Sequence, residues 1–103
     1  MDQFLIEFKR GTLTMAVLSQ LRTPQYGYSL LEKLQSHQFP VESGTLYPLL
    51  RRLEKKGLCI SEWDTSQTRA RKYYSLSPLG QKTLDLLITE WKSQTNILKE
   101  MIL

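Results

Sequence analysis

Gly44-Thr45-Leu46-Tyr47-Pro48-Leu49-Leu50-Arg51-Arg52-Leu53-Glu54-Lys55-Lys56-Gly57-Leu58 reads as one short amphipathic helix. Leu46, Leu49, Leu50 and Leu53 recur at spacings of three and four, which lines them up on one stripe. Arg51, Arg52, Lys55 and Lys56 fall off that stripe, and Gly57 supplies a stop. Ser43 is the candidate N-cap. Pro48 fits awkwardly a turn inside the helix, where a missing N–H begins to matter; either the first turn is irregular or the helix starts nearer Thr45. Leu58 to Trp63 then reads as a strand, Thr65 to Arg71 as a polar, basic loop, and Lys72 to Leu76 as a second strand. Leu58 and Ile60 alternate with Cys59 and Ser61, and Tyr74 and Leu76 answer from the second strand as the apolar set of a hairpin.

Working outward, Gln3 to Leu21 predicts a first helix, with Phe4, Phe8, Leu13, Ala16, Val17 and Leu21 at mostly helical spacing. Gly11 weakens it by about 1 kcal/mol relative to Ala. Pro24 ends it and pushes Thr23 toward extended geometry. Tyr26-Gly27 leads into a second helix, Tyr28 to about Gln38, that buries Leu30, Leu31 and Leu34; Phe39-Pro40-Val41 is the turn into the third. Ser77-Pro78 opens a last helix, with Ser77 as N-cap and Pro78 at the first helical position, where its fixed φ suits. That helix is expected to run to within a few residues of Leu103. Three helices, then a hairpin with a basic loop, is the order of a winged helix-turn-helix. The fold class expected is therefore mainly α with a small β-hairpin: a winged helix-turn-helix unit over 1–76 and a long C-terminal helix over 77–103.

The charge sits on the same segment. Residues 43–72 hold seven bases and three acids, a net +4, while the rest of the chain holds seven of each. The whole formal excess lies on the third helix and wing, where it attracts phosphate and adds affinity without sequence information. Taken alone, such a patch is equally a solvated basic face that keeps a protein in solution. On a helix and wing it favours nucleic acid.

With 103 residues the chain reads as one domain with a modest core. No run is long enough to span a bilayer, and Asp2 and Glu7 are unlike the start of a signal peptide. A single cysteine, Cys59, forms no internal disulfide and fits a reducing cytoplasm. Catalysis finds no support: His37 stands alone with no carboxylate or cysteine at ligand spacing, and there is no phosphate-binding glycine loop. No metal site, cofactor or membrane association is expected. Cys59 reads as a buried strand cysteine, with redox sensing an unmotivated alternative.

The last helix is too apolar to serve only its own core. Leu84, Leu87, Ile88, Trp91, Leu98, Met101 and Ile102 form a stripe broken at Gln94 and Thr95, and Leu86 and Ile97 widen it. The simplest burial is against a second copy, with Phe4, Leu5 and Phe8 joining in; the alternative is a helix packed wholly within one chain. The interface expected is Phe4, Leu5, Leu84, Leu87, Ile88, Trp91, Leu98 and Ile102. Paired modules also suit a DNA reader, because they address half-sites about 34–36 Å apart.

The chain resembles the PadR family of bacterial transcriptional regulators, in its short form with one C-terminal helix. The resemblance rests on Gly11-Thr12-Leu13 with Ala16-Val17-Leu18, on Tyr26-Gly27-Tyr28, and on Gly44-Thr45-Leu46-Tyr47-Pro48 with Arg52-Leu53-Glu54-Lys55-Lys56-Gly57-Leu58. It continues through Arg71-Lys72-Tyr73-Tyr74-Ser75-Leu76 into Ser77-Pro78-Leu79-Gly80, so it covers essentially the whole chain in order. One departure is the wing, which lacks the glycine-rich tip common in the family.

Residue roles follow from both lines. Ser43, Thr45 and Tyr47 occupy the start of the third helix, where family members place side chains in the major groove; their hydroxyls suit base edges or phosphates. Tyr47 can instead be an aromatic packed between helices. Arg51, Lys55 and Lys56 lie further along and suit phosphates, Arg52 can pair with Glu54 or Glu42, and Arg69, Arg71 and Lys72 on the wing should meet the backbone or minor groove. Arg10 and Tyr28 are phosphate contacts by the resemblance. Tyr73 and Tyr74 are equally core or contact. Trp91 is either the largest anchor of the dimer interface or, with its partner copy, one wall of a site for a small apolar or aromatic effector. By correspondence with the family, Phe8, Met15, Ile88, Thr95 and Leu98 would line that site.

The function expected is a homodimeric transcription factor, a repressor on a palindromic double-stranded DNA operator, with release by such an effector left open. Two rivals remain: a winged-helix module that binds an acidic protein, and a small-molecule-binding protein with little DNA role.

Overall fold

The computed structural model describes residues 2–103. Among them, α1 (Gln3–Gln20), β1 (Gln25–Tyr26), α2 (Gly27–Ser36), α3 (Ser43–Lys55), β2 (Cys59–Asp64), β3 (Arg71–Leu76) and α4 (Pro78–Ile102) follow one another. The sheet is antiparallel with order β1-β3-β2. Four helices and a small sheet in this order are the mainly helical winged architecture expected.

Each helix begins where a side chain or backbone group can take up its free donors. Asp2 caps α1 by accepting from the Phe4 N–H at 2.8 Å. The Ser29 hydroxyl accepts from the Tyr26 N–H at 3.1 Å at the head of α2. Ser77 caps α4, accepting from the Gly80 N–H at 2.9 Å while its own hydroxyl donates to the Gly57 carbonyl at 2.6 Å. In α3 the N-cap is Glu42, and Ser43 is already the first helical residue. The Glu42 carbonyl accepts from both Thr45 N (2.9 Å) and Leu46 N (3.0 Å), so the first turn is tightened. Pro48 stays inside an unbroken helix because the carbonyl it leaves without a partner, on Gly44, is on the exposed first turn.

The core is one cluster. Leu13, Val17, Leu18 and Leu21 meet Leu30 and Leu34 of α2, the full Leu46, Leu49, Leu50 and Leu53 stripe of α3, Cys59 and Tyr74 of the hairpin, and Leu84 of α4. Backbone bonds lock the hairpin beneath it: Leu76 N donates to the Leu21 carbonyl at 2.8 Å and Ser77 N to the Leu58 carbonyl at 3.1 Å. The first turn of α4 lies hard against that strand entrance. A methyl on Gly80 would stand 2.9 Å from the Leu58 carbonyl carbon and 2.8 Å from Leu76 Cδ1, and closer still to the Leu58 oxygen.

Three expectations need correction. β1 was not foreseen: Gln25 and Tyr26 pair with Tyr74 and Tyr73 and add a third strand. Of the expected apolar set of the hairpin, Leu58, Tyr74 and Leu76 pack on the core and Ile60 does not, while Cys59 is buried as expected. Cross-strand partners share a face, and Tyr74 and Leu76 lie opposite Ser61 and Cys59, so Cys59 points into the core and Ile60 points out. Leu84, expected at a dimer interface, is fully enclosed in the chain's own core and has no surface left for a partner.

Candidate nucleic-acid interface

α3 presents its apolar stripe to the core, so geometry forces its other residues outward. Ser43, Thr45, Arg51, Arg52, Lys55 and Lys56 are exposed, and Tyr47 is exposed by rather more than a third. The hairpin returns beside this helix. Between them and the start of α2 lies an open cleft of about 660 Å³, lined by Tyr26, Gly27, Tyr28, Tyr47, Arg51, Arg69, Ala70, Arg71, Lys72 and Tyr74. Six of the residues expected to contact DNA (Tyr28, Tyr47, Arg51, Arg69, Arg71 and Lys72) therefore converge on one cleft. Ser43, Thr45 and Lys55 of α3 and Lys56, its C-cap, are outside the lining, as is Arg10, exposed on α1.

Aromatic contacts shape the cleft, and a local turn holds the start of the wing loop. Tyr47 lies across the start of α2, its ring so near Gly27 that a Cβ there would stand 3.2 Å from Cζ and 3.3 Å from Cδ1, and closer to Cε1. The Arg71 guanidinium stacks over the Tyr26 ring, 4.5 Å from its centroid, and Tyr26 meets Tyr73 edge to face at 5.4 Å. At the start of the wing loop, Asp64 accepts from the Ser66 N–H at 2.9 Å and its hydroxyl at 2.6 Å. Those bonds hold the Asp64 carboxyl below the usual carboxylate range.

Lys72 does not stand free as its sequence position suggested. Its ammonium lies 3.2 Å from Glu54 Oε1, the one ion pair among the described residues. Ser61 donates to the other oxygen of the same carboxylate. One side chain of α3 thus holds both strands of the hairpin. The Ser61 hydrogen bond, followed by the Lys72 contact against a partial desolvation penalty, lowers the Glu54 pKa; the bond to Glu54 raises that of Lys72. Glu54, expected with Glu42 as a partner for Arg52, pairs instead with Lys72, and neither that link nor the Ser61 bond is legible in the sequence. Tyr26 and Ala70 were also missed as cleft-lining residues, because they reach it through strand pairing and loop path. Cys59 lies beneath α3, buried, with its thiol pushed up to about 11 by desolvation and by the nearby Glu54 charge.

Apolar side chains are also exposed on α1 and α4. Phe4 (77 % exposed), Leu5 and Phe8 of α1, and Leu86, Leu87, Trp91 (51 %), Ile97, Leu98, Met101 and Ile102 of α4, are uncovered. Met15 and Ile88 are half-buried and pack against the core, and Thr95 is half-buried. No helix among the described residues is long and apolar enough to cross a membrane.

A three-helix unit whose third helix and adjoining hairpin share an open cationic cleft defines a winged helix-turn-helix protein. Residues 15–86 match the transcriptional regulator PadR-like family, and the chain belongs to it. A transcriptional regulator of Mycobacterium tuberculosis is 37 % identical over 79 residues, spanning 76 % of this chain and 74 % of that one. The crystal structure of a PadR family regulator from Eggerthella lenta superposes with a TM-score of 0.90 at 43 % identity, covering 96 % of this chain and 88 % of the other. The PadR of Bacillus subtilis, solved in complex with operator DNA, matches at a TM-score of 0.68 and 23 % identity over 75 % of this chain and 46 % of that one. At that identity the likeness is one of fold. The chain is a PadR-like transcriptional regulator.

Proposed function

We propose that the protein binds a palindromic operator as a homodimer and represses the gene it lies on, acting in the cytoplasm where the chromosome is. The observation that carries this reading is the convergence of Tyr28, Tyr47, Arg51, Arg69 and Arg71 on one open cleft between α3 and the wing. Phenol hydroxyls and guanidinium forks are suited to phosphate oxygens. The exposed start of α3, with Ser43, Thr45 and Tyr47, enters the major groove and reads base edges. Lys55 and Lys56 meet phosphates beyond it, and Arg10 meets the backbone from α1. The operator-bound PadR of Bacillus subtilis, which shares this fold, supports the assignment.

The second copy covers the exposed apolar side chains of α1 and α4. Phe4, Leu5, Leu87, Trp91, Leu98 and Ile102 form the interface, with Ile88 at its inner edge and Leu84 left inside each protomer. On this reading residues 1–76 read DNA and 77–103 join the two copies. A small apolar effector lodged among Phe8, Met15, Ile88, Trp91, Thr95 and Leu98 would release the operator only through unequal affinity for two arrangements of the paired helices.

A mobility shift with the DNA upstream of the protein's own gene, against scrambled competitor at two salt concentrations, tests the reading. Specific, salt-sensitive retention at two protein copies per operator is expected. Retention no stronger than on scrambled DNA, there and in a genome-wide selection of bound fragments, would overturn it in favour of a protein-binding winged helix.

A further inference from the structure

Resting on the DNA-reading function just proposed, we infer that Glu54 is a specificity-determining residue of the cationic face: its carboxylate occupies Lys72 and ties the wing to α3, so that this lysine adds nothing to the grip on arbitrary DNA. Three observations carry it. Glu54 sits on α3 between Arg51, Arg52 and Lys55, Lys56, the one acid among those bases. Its two oxygens are each taken by a different strand of the hairpin, Lys72 of β3 at 3.2 Å and Ser61 of β2. Lys72 also lines the cleft, so an ammonium that could face a phosphate there is turned to a carboxylate instead.

The consequence is electrostatic. Non-specific affinity grows with the number of cations that replace counterions on the duplex, whereas discrimination comes from base-edge contacts held in fixed geometry. A carboxylate planted in the basic face subtracts one cation from the first quantity. By bracing two strands against α3 it also fixes the angle between wing and recognition helix, on which the second depends. An exposed ion pair is weak alone. Here both side chains are about one third exposed, and the Ser61 bond orients the carboxylate, so the pair starts from an arranged geometry.

Glu54→Gln keeps the shape and a hydrogen-bond acceptor for Ser61 but removes the charge that holds Lys72. The measurement is the affinity of the protein for a scrambled duplex and for the operator fragment across a salt series. In E54Q we expect non-specific affinity to rise severalfold, the non-specific log–log salt slope to steepen by about one, and the ratio of specific to non-specific affinity to fall. Lys72→Gln in the unaltered background should leave the non-specific slope unchanged, and in the E54Q background should bring it back. A slope that falls by about one in K72Q alone would overturn the inference, since Lys72 would then already hold a phosphate. An unchanged slope in E54Q would do the same. Absence of duplex binding by the unaltered protein would remove the DNA-reading function itself, and the inference with it; binding by the unaltered protein with unresponsive variants removes the inference alone.

Discussion

The ring of Tyr47 occupies the space that a side chain on Gly27 would need. The first residue of α2 therefore sets where the tyrosine on α3 can point. Gly27→Ala forces the ring away from the start of α2, so operator affinity should fall about tenfold, the equivalent of about 1.4 kcal/mol. Tyr47 is exposed enough to swing outward, so the thermal midpoint should move little. Operator titration and a melting curve on one preparation check this; a lost fold with unchanged affinity per folded molecule would show Gly27 to be structural only.

Tyr47 and Lys55 separate reading from gripping. Tyr47→Ala should cost about 1–3 kcal/mol of operator discrimination while leaving scrambled DNA nearly unaffected. Lys55→Ala should weaken both DNAs alike and reduce the salt slope by about one. Equal losses on the two DNAs for Tyr47→Ala would take that side chain out of base readout.

What the sequence revealed of the fold was local. The α3 stripe was legible because Leu46, Leu49, Leu50 and Leu53 all belong to one side of one helix, and all four are in the core. The Ser77 cap was legible because Ser-Pro is a local signal. β1 was not, since two residues become a strand only by pairing with Tyr73 and Tyr74, far along the chain. The alternation of residues 58–61 marked two faces without saying which was inner; the register with β3 decides that, placing Cys59 opposite Leu76. Leu84 was assigned to a partner because a stripe on α4 does not say where the chain's own core ends. Of the site, residue types on α3 and wing were readable, but the Glu54–Lys72 pairing across 18 positions was not, because it exists only once the hairpin folds back on α3.

Two glycines should respond in opposite ways to a methyl. Gly80→Ala drives Cβ into the Leu58 carbonyl, which is backbone fixed by the bond from Ser77 N. A loss of about 3 kcal/mol is expected, as for severe overpacking, and a fall in melting temperature of about 10–20 °C. Gly11 lies on the exposed side of α1 with nothing within 4 Å of a Cβ. Gly11→Ala should stabilise the chain by about 0.5–1 kcal/mol. Denaturant midpoints of both variants check the pair.

Cys59 should be inert until the protein opens. Its thiol is raised from the ordinary value of 9.0 to about 11 by burial first and the Glu54 charge second. The folded state thus keeps a proton that the unfolded chain gives up. The stability this contributes is complete below pH 9, where both states are protonated, and is lost as pH rises toward about 11. Thiol titration with an aromatic disulfide should be slow at pH 8 and accelerate with denaturant. Rapid labelling of the native protein at pH 8 would contradict the burial.

Trp91 tests the exposed apolar residues of α4. Leu84 and Ile88 engage α4 with its own core, and Trp91 lies one turn beyond Ile88 with half its surface uncovered. Beside Leu87 and Leu98 it is the largest apolar group on that face of the helix, and a large aromatic near an interface centre contributes about 2 kcal/mol or more. Trp91→Glu replaces it with a charge that two copies would bring together, so the dimer should weaken by at least about 30-fold. Because Trp91 makes no part of the buried core, the monomer should stay folded. Sedimentation velocity over a concentration series, alongside circular dichroism, distinguishes the outcomes. A folded monomer places the interface on α4, and loss of operator binding in that monomer would show that two reading heads are required. A dimer of unchanged affinity would move the interface away from Trp91, and with it the effector site proposed around that residue.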